Sequence, residues 1–289
     1  MKINQNILSQ LKDFGRDMED FHDSYAVDGL VMAQGFVDGV HDSDGHFVAG
    51  ILAEGERPVW LMALDLMWVL WLDDRIDTCT TSGQLVDWNF LLYPETQSTI
   101  SAEGRSFIKI CEHMEKAAFT RTAFVAWKDS AVALFRAYHA NWLLSSNQRS
   151  WGYAEYLENG EISVTMPHFL TATSLACDYA MESRQDALFL RIVKNLSLAA
   201  RLQNDLASAE KERSVGDRAN AVLLIEAFTT SAQSREFVRA EQLSYEKMLL
   251  RDLALLPPGD PIIQLAKIVL AMMDVFYKIP RERYLLSPK

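Results

Sequence analysis

Apolar residues recur at helical spacing through nearly the whole chain, and no run alternates apolar and polar positions as a half-buried strand requires. The pattern predicts helices over residues 5–23, 25–39, 58–78, 84–91, 100–116, 120–145, 150–160, 163–180, 185–212, 218–228, 232–253 and 260–278. Breakers separate them at Gly45 and Gly50, Pro94, Asn159-Gly160, Gly216 and Pro257-Pro258-Gly259. No internal repeat, low-complexity tract or Pro/Gly/Ser-rich linker divides the chain. The expectation is an all-α fold in one domain, 1–289, built as a helical bundle. The most apolar run, Val59 to Leu72, contains Asp65 and falls short of the ~20 residues that span a bilayer, so it reads as a buried helix.

Composition narrows the function classes. With 49% hydrophobic residues, seven Trp and 14 Phe, the 289-residue chain has apolar surface for both a packed core and a lined cavity. A net charge of −11 argues against nucleic acid, whose phosphate backbone calls for clustered Lys and Arg. An anionic ligand would need bridging metal. Cys79, Cys111 and Cys177 are odd in number and widely spaced, with no CxxC, which suggests a reduced compartment. The first residues carry no apolar signal segment, and the expected location is the cytoplasm.

Two acidic motifs carry the candidate chemistry: Asp73-Asp74-Arg75-Ile76-Asp77, and Asn204-Asp205-Leu206-Ala207-Ser208-Ala209-Glu210-Lys211-Glu212. At about 100° per residue, Asp73 and Asp77 fall about 40° apart on one helix face, and Asn204, Ser208 and Glu212 span about 80° on another. Each is a stripe of hard oxygen donors of the kind that holds Mg²⁺, which leaves part of its octahedron to water and substrate phosphate. Projection puts Met62, Leu66, Val69 and Leu70 near the first carboxylate face, as candidate cavity wall, and Trp60 and Trp71 away from it, as core. Above Asn204 lie Val193, Ser197 and Ala200, small enough to leave room for substrate, while Arg201 and Lys211 fall within about 80° of the candidate ligands. Phe135, Tyr138, Trp142 and Phe169 read first as core, with cation–π cavity lining the alternative.

At these residues the chain resembles the class I terpene synthases, whose first motif is Asp-Asp-x-x-Asp and whose second is Asn/Asp-Asp-x-x-Ser/Thr-x-x-Lys/Arg-Asp/Glu. Both occur without a gap, about 130 residues apart, and Arg283-Tyr284 matches a third signature near the C-terminus. The resemblance implies an all-α domain around a deep active-site cavity. It also implies three Mg²⁺ ions, with Mn²⁺ as a substitute, two on Asp73, Asp74 and Asp77 and one on Asn204, Ser208 and Glu212. Lys211, Arg283 and Tyr284 would bind the diphosphate, and Arg201, three before Asn204, has the same reach by helical projection. The substrate would be a prenyl diphosphate; a homodimer is one option for the assembly, which the sequence leaves open, and charge and hydropathy argue for no nucleic acid and no membrane span.

One departure stands out. Many bacterial members carry Tyr-Leu-x-x-Arg-x-x-Thr/Ser, whose Arg senses diphosphate at a helix break, whereas Tyr156-Leu157-Glu158-Asn159-Gly160-Glu161-Ile162-Ser163 has Gly160 there. Asn159-Gly160 is expected to break the helix, keeping a loosened backbone around Ser163 and Val164 that turns a carbonyl toward the cation. This variant, with Trp71-Leu72-Asp73-Asp74 and Arg201-Leu202-Gln203-Asn204-Asp205-Leu206, is similar to bacterial ent-kaurene synthases. That likeness implies a C20 substrate, ent-copalyl diphosphate, made by a separate class II cyclase, and an ent-kaurene-type olefin as product. The alternatives are direct cyclisation of geranylgeranyl or farnesyl diphosphate, a non-catalytic isoprenoid-binding helical protein, and a helical HD-type phosphohydrolase using His22 and His41-Asp42.

Overall fold

The computed structural model describes residues 4–41, 46–50, 56–82, 86, 88, 101–118, 120–146, 148–176, 184 and 186–278, of which 79–82 and 274–278 by backbone alone. These residues form α1 (Gln5–Gly15), α2 (Asp23–Asp38), α3 (Glu56–Ser82), α4 (Ala102–Ala117), α5 (Arg121–Ser145), α6 (Tyr153–Ser163), α7 (Met166–Ala176), α8 (Ala187–Val215), α9 (Ala221–Glu226), α10 (Ser231–Leu253) and α11 (Pro261–Lys278). Two-residue strands β1 (Val40–His41) and β2 (Phe47–Val48) pair in the only sheet among the described residues. The all-α expectation holds. The chain falls into two compact units, one drawn from 1–40, 47–136 and 168–183 and the other from 41–46, 137–167 and 184–289.

In the first unit α3 is apolar on every side, and Leu61 through Val69 are all buried. Trp68 packs its ring 5.6 Å from Phe107 of α4 and 5.7 Å from Phe135 of α5, and donates its indole N–H to Ser106 Oγ at 3.2 Å. Burying a charged residue in such a run is costly unless it is hydrogen-bonded. Asp65 meets that condition: its Oδ1 accepts from Trp127 Nε1 at 2.8 Å and lies 3.0 Å from His168 Nε2. The other ring nitrogen of His168 lies 2.8 Å from Ser130 Oγ. Trp71 is core, as expected, donating to the Glu19 carbonyl at 2.9 Å, and Trp60 is half-buried with its ring 5.8 Å from His113. Phe135 and Phe169 are also core, Phe169 packing on Phe36 at 4.8 Å.

The helix expected over 5–23 ends at Gly15. The Phe21 ring folds back over that glycine, where a Cβ would stand 2.2 Å from it, and Asp20 takes φ +56° to make the turn. His22 then caps α2, accepting the Ser24 N–H at 3.2 Å. The helix expected over 84–91 lies almost wholly outside the described residues.

In the second unit α8 is the long element. Asp186 opens it by accepting the Phe189 N–H at 2.8 Å, and Gly216, at φ +78°, closes it. Leu144, Tyr156, Leu202, Ala209, Val222 and Val238 bury against one another beside it. The break expected at Asn159-Gly160 is absent. The Asn159 amide donates to Ala137 O at 3.0 Å and Asn141 Oδ1 at 2.7 Å on α5, so it does not compete for its own backbone, and Val164 N–H still reaches Gly160 O at 3.2 Å. α6 therefore runs through Gly160 and gives way at Val164 and Thr165, where Thr165 takes φ +75°.

Candidate metal centre

Asp73, Asp74 and Asp77 sit inside α3, which continues to Ser82; the first two are half-buried and the third exposed. Arg75, within the motif, donates to Glu103 Oε1 at 3.0 Å, pairs with Asp20, and lies 3.6 Å from Glu19. Those three carboxylates clamp the rotation of this part of α3. Of the candidate wall residues on the same helix, Met62, Leu66 and Val69 are buried and Leu70 is half-buried.

The Asn motif occupies the last three turns of α8. Ser208 Oγ bonds to the Asn204 carbonyl at 2.9 Å and to Asn204 Oδ1 at 3.3 Å, so two of the three expected ligands already touch. Glu212, one turn on, is different. Burial pushes its carboxyl up to about 8, the Asp205 and Asp217 carboxylates add to the rise, and Arg201 and the Ser208 hydroxyl offset part of it. Its Oε2 is buried and has no hydrogen-bond partner among the described residues. A helix C-terminus carries partial negative charge and gives no support to an anion there. A hard divalent cation bonded to Asn204 Oδ1, Ser208 Oγ and Glu212 would fill that orphaned valence and repay the desolvation, and the donor set fits one. Among the described residues no three His, Cys, Asp or Glu side chains, those of Asp73, Asp74 and Asp77 included, are grouped so as to hold a metal ion.

Lys211 is half-buried and forms no ion pair among the described residues; neighbouring Glu210 is taken by Arg213 and, at 2.7 Å, by Arg235. Arg201, expected among the diphosphate-facing cations, turns inward. Its Nε donates to Tyr156 Oη at 2.7 Å and lies 3.1 Å from Asp205 Oδ1, and one Nη donates to the Ala219 carbonyl. Ser163, expected at the loosened backbone, and Ser197, expected on the cavity wall, are buried, and among the described residues their hydroxyls meet no hydrogen-bond partner; Ala200 and Gly160 are buried and Val164 is half-buried. Arg283 and Tyr284 lie outside the described residues.

Sequence reasoning passed over Asp205, Tyr156 and Asn220. Asp205 is wholly buried, accepting from Tyr156 Oη at 2.6 Å and from the Ala221 N–H at 3.0 Å. Asn220 caps α9 with Oδ1 and donates Nδ2 to the Asp205 carbonyl at 2.9 Å and to Ser208 Oγ at 3.3 Å. The available signal was Asp205 itself, an acidic residue inside the motif that points away from the ligand stripe.

A family model, terpene synthase family 2, C-terminal metal binding, matches residues 66–240, more than half of the chain and both acidic motifs. The chain belongs to this family. It is therefore an enzyme, a terpene synthase, and the metal-binding description agrees with the donor set on α8. Its fold is that of bacterial class I terpene synthases. Linalool/nerolidol synthase from Streptomyces clavuligerus superposes with a TM-score of 0.70 at 14% identity, covering 96% of this chain and 95% of that one. The same enzyme with 2-fluorogeranyl diphosphate gives 0.68, also at 14% identity, over 95% of this chain and 92% of that one. 2-Methylisoborneol synthase from Streptomyces coelicolor A3(2), in complex with Mg²⁺ and 2-fluoroneryl diphosphate, gives 0.67 at 15% identity over 95% and 89%. No helix among the described residues of this terpene synthase is long and apolar enough to cross a membrane.

Proposed function

We propose that this terpene synthase is a Mg²⁺-dependent class I diterpene synthase that ionises a C20 prenyl diphosphate, ent-copalyl diphosphate, and releases an ent-kaurene-type olefin and diphosphate. The observation that carries the metal dependence is Glu212 Oε2, a buried carboxylate oxygen with no hydrogen-bond partner among the described residues, in helical register with Asn204 and Ser208. Mg²⁺, when bound, stabilises the charge that develops on the leaving diphosphate oxygens. Asp73, with Asp74 and Asp77, would hold two ions, and Asn204, Ser208 and Glu212 the third. Lys211, which forms no ion pair among the described residues, is a cation that could face the phosphates; Arg283 and Tyr284 would close over them, the Arg forking phosphate oxygens. Met62, Leu66, Val69, Leu70, Ser197 and Ala200 would exclude water and shape the hydrocarbon, and the break at Val164 and Thr165 leaves backbone carbonyls to face the cation. The substrate would come from a separate class II cyclase.

The C20 assignment is supported by the Asn159-Gly160 variant of the sensor pattern. A second reading, direct cyclisation of geranylgeranyl or farnesyl diphosphate, is favoured by the structural relatives, whose ligands are fluorinated analogues of acyclic geranyl and neryl diphosphates. Steady-state assays with ent-copalyl, geranylgeranyl and farnesyl diphosphates separate the two. The expected outcome is a kcat/KM for the bicyclic substrate more than about tenfold above the others, a difference of at least ~1.4 kcal/mol in transition-state binding. Efficient turnover of geranylgeranyl diphosphate with the bicyclic compound untouched would move the assignment to the second reading.

A further inference from the structure

Gly160 of α6 and Arg201 of α8 share one space. A Cβ at position 160 would stand 3.1 Å from Arg201 Cγ and 3.7 Å from its Cδ, so the stem of Arg201 lies where a side chain of residue 160 would go. With glycine there, the stem passes across α6 and delivers its guanidinium to Tyr156, one turn earlier on that helix, at 2.7 Å, with the ring 5.1 Å from the guanidinium carbon. The same group pairs with Asp205 at 3.1 Å and donates to the Ala219 carbonyl. From Asp205 the bonds continue through its carbonyl to Asn220 Nδ2, and from Asn220 Nδ2 to Ser208 Oγ, which touches Asn204 Oδ1 at 3.3 Å. A set of hydrogen bonds, continued through the Asp205 residue from carboxylate to backbone carbonyl, thus links Tyr156 of α6, eight residues before the break at Val164, to two of the three candidate metal ligands.

We propose that Arg201, seated by Gly160, is a positioning residue that fixes the helix break after α6 relative to the metal-ligand stripe of α8. This rests on the functional reading above. It assigns to α8 the guanidinium that the Tyr-Leu-x-x-Arg pattern places on α6, with the space between the helices admitting one such group and not two. Cation arrival at Asn204 and Ser208 then bears on the orientation of the carbonyls at the break through Asn220, Asp205, Arg201 and Tyr156. The coupling needs no direct contact between Arg201 and substrate.

Moving the guanidinium tests it. Arg201→Ala, Gly160→Arg and the double variant are compared with wild type for kcat, the Mg²⁺ concentration at half-maximal rate, and product distribution. Each single variant is expected to lose about tenfold or more in kcat and to need more Mg²⁺, a cost in line with misplacement of a catalytic constellation. The double variant, with one guanidinium again between the helices and within i,i+4 reach of Tyr156, is expected to recover most of that loss. Gly160→Ala, which asks Arg201 to yield only a few tenths of an ångström, guards against a single variant that does not fold and is expected to shift the Mg²⁺ requirement in the same direction, by less. Thermal unfolding of all five proteins with Mg²⁺ and inorganic pyrophosphate gives a readout independent of turnover: the rise in midpoint should be largest in wild type, reduced in the single variants and restored in the double. A double variant no better than the worse single variant overturns the proposal, as does Arg201→Ala with wild-type Mg²⁺ requirement, midpoint rise and products. Wild-type enzyme that consumes no prenyl diphosphate would instead sink the functional reading, and the midpoint series would then decide the positioning role alone.

Discussion

Neighbouring residues 204 and 205 should behave as different kinds of group when either is cut to alanine. Asp205 has no exposed surface; its Oδ2 accepts from the Tyr156 hydroxyl at 2.6 Å and the Ala221 N–H at 3.0 Å, and its Oδ1 lies 3.1 Å from Arg201 Nε as an ion pair. Asp205→Ala strands the Arg201 guanidinium, 11% exposed, beside two donors that have lost a charged acceptor. Breaking a buried pair by removing one partner costs about 3–5 kcal/mol. Part of that is offset, because the Asp205 charge also opposes ionisation of Glu212, and the lower end, about 3 kcal/mol, is expected. Asn204 is half-buried, and among the described residues its side chain accepts only a long 3.3 Å bond from Ser208, so Asn204→Ala should cost less than about 1 kcal/mol. Both residues lie in one compact unit, so a single urea transition followed by circular dichroism reports on both. The reasoning is refuted if the two variants differ by less than about 1 kcal/mol with equal m values.

Asp73→Ala, Asn204→Ala and Glu212→Ala should each lose at least about 10²-fold in turnover while keeping the helical circular dichroism of the wild type, and chelation of divalent metal should abolish activity. In the first unit, Asp65→Ala leaves the buried Trp127 and His168 donors without their acceptor and should cost roughly 2–5 kcal/mol by urea denaturation, with Asp65→Asn, which keeps one acceptor oxygen, costing less. Truncation after Pro280, which removes Arg283 and Tyr284, should lower turnover or alter the product distribution; unchanged values of both would exclude a closing role for the tail.

The sequence by itself determined the helical class, most helix positions and the register of the candidate-ligand stripes. Each of these follows from the 3.6-residue period acting within one element, which needs no knowledge of neighbours. The core role of Trp71 was legible for the same reason, since an angle on one helix separates it from Asp73. Tertiary structure alone decided the rest. Asn159-Gly160 reads locally as a breaker, yet α6 continues because Asn159 bonds to α5 and the Arg201 stem fills the space beside Gly160. Arg201 reads as a cation within reach of the ligands, yet it turns inward because Tyr156 and the Ala219 carbonyl, 45 residues before it and 18 after it, meet it there. The unusual state of Glu212 was equally hidden: its side chain falls on the ligand face in any helical projection, but burial sets the cost of its charge, and burial is a property of the packed elements around a residue and not of the element that carries it.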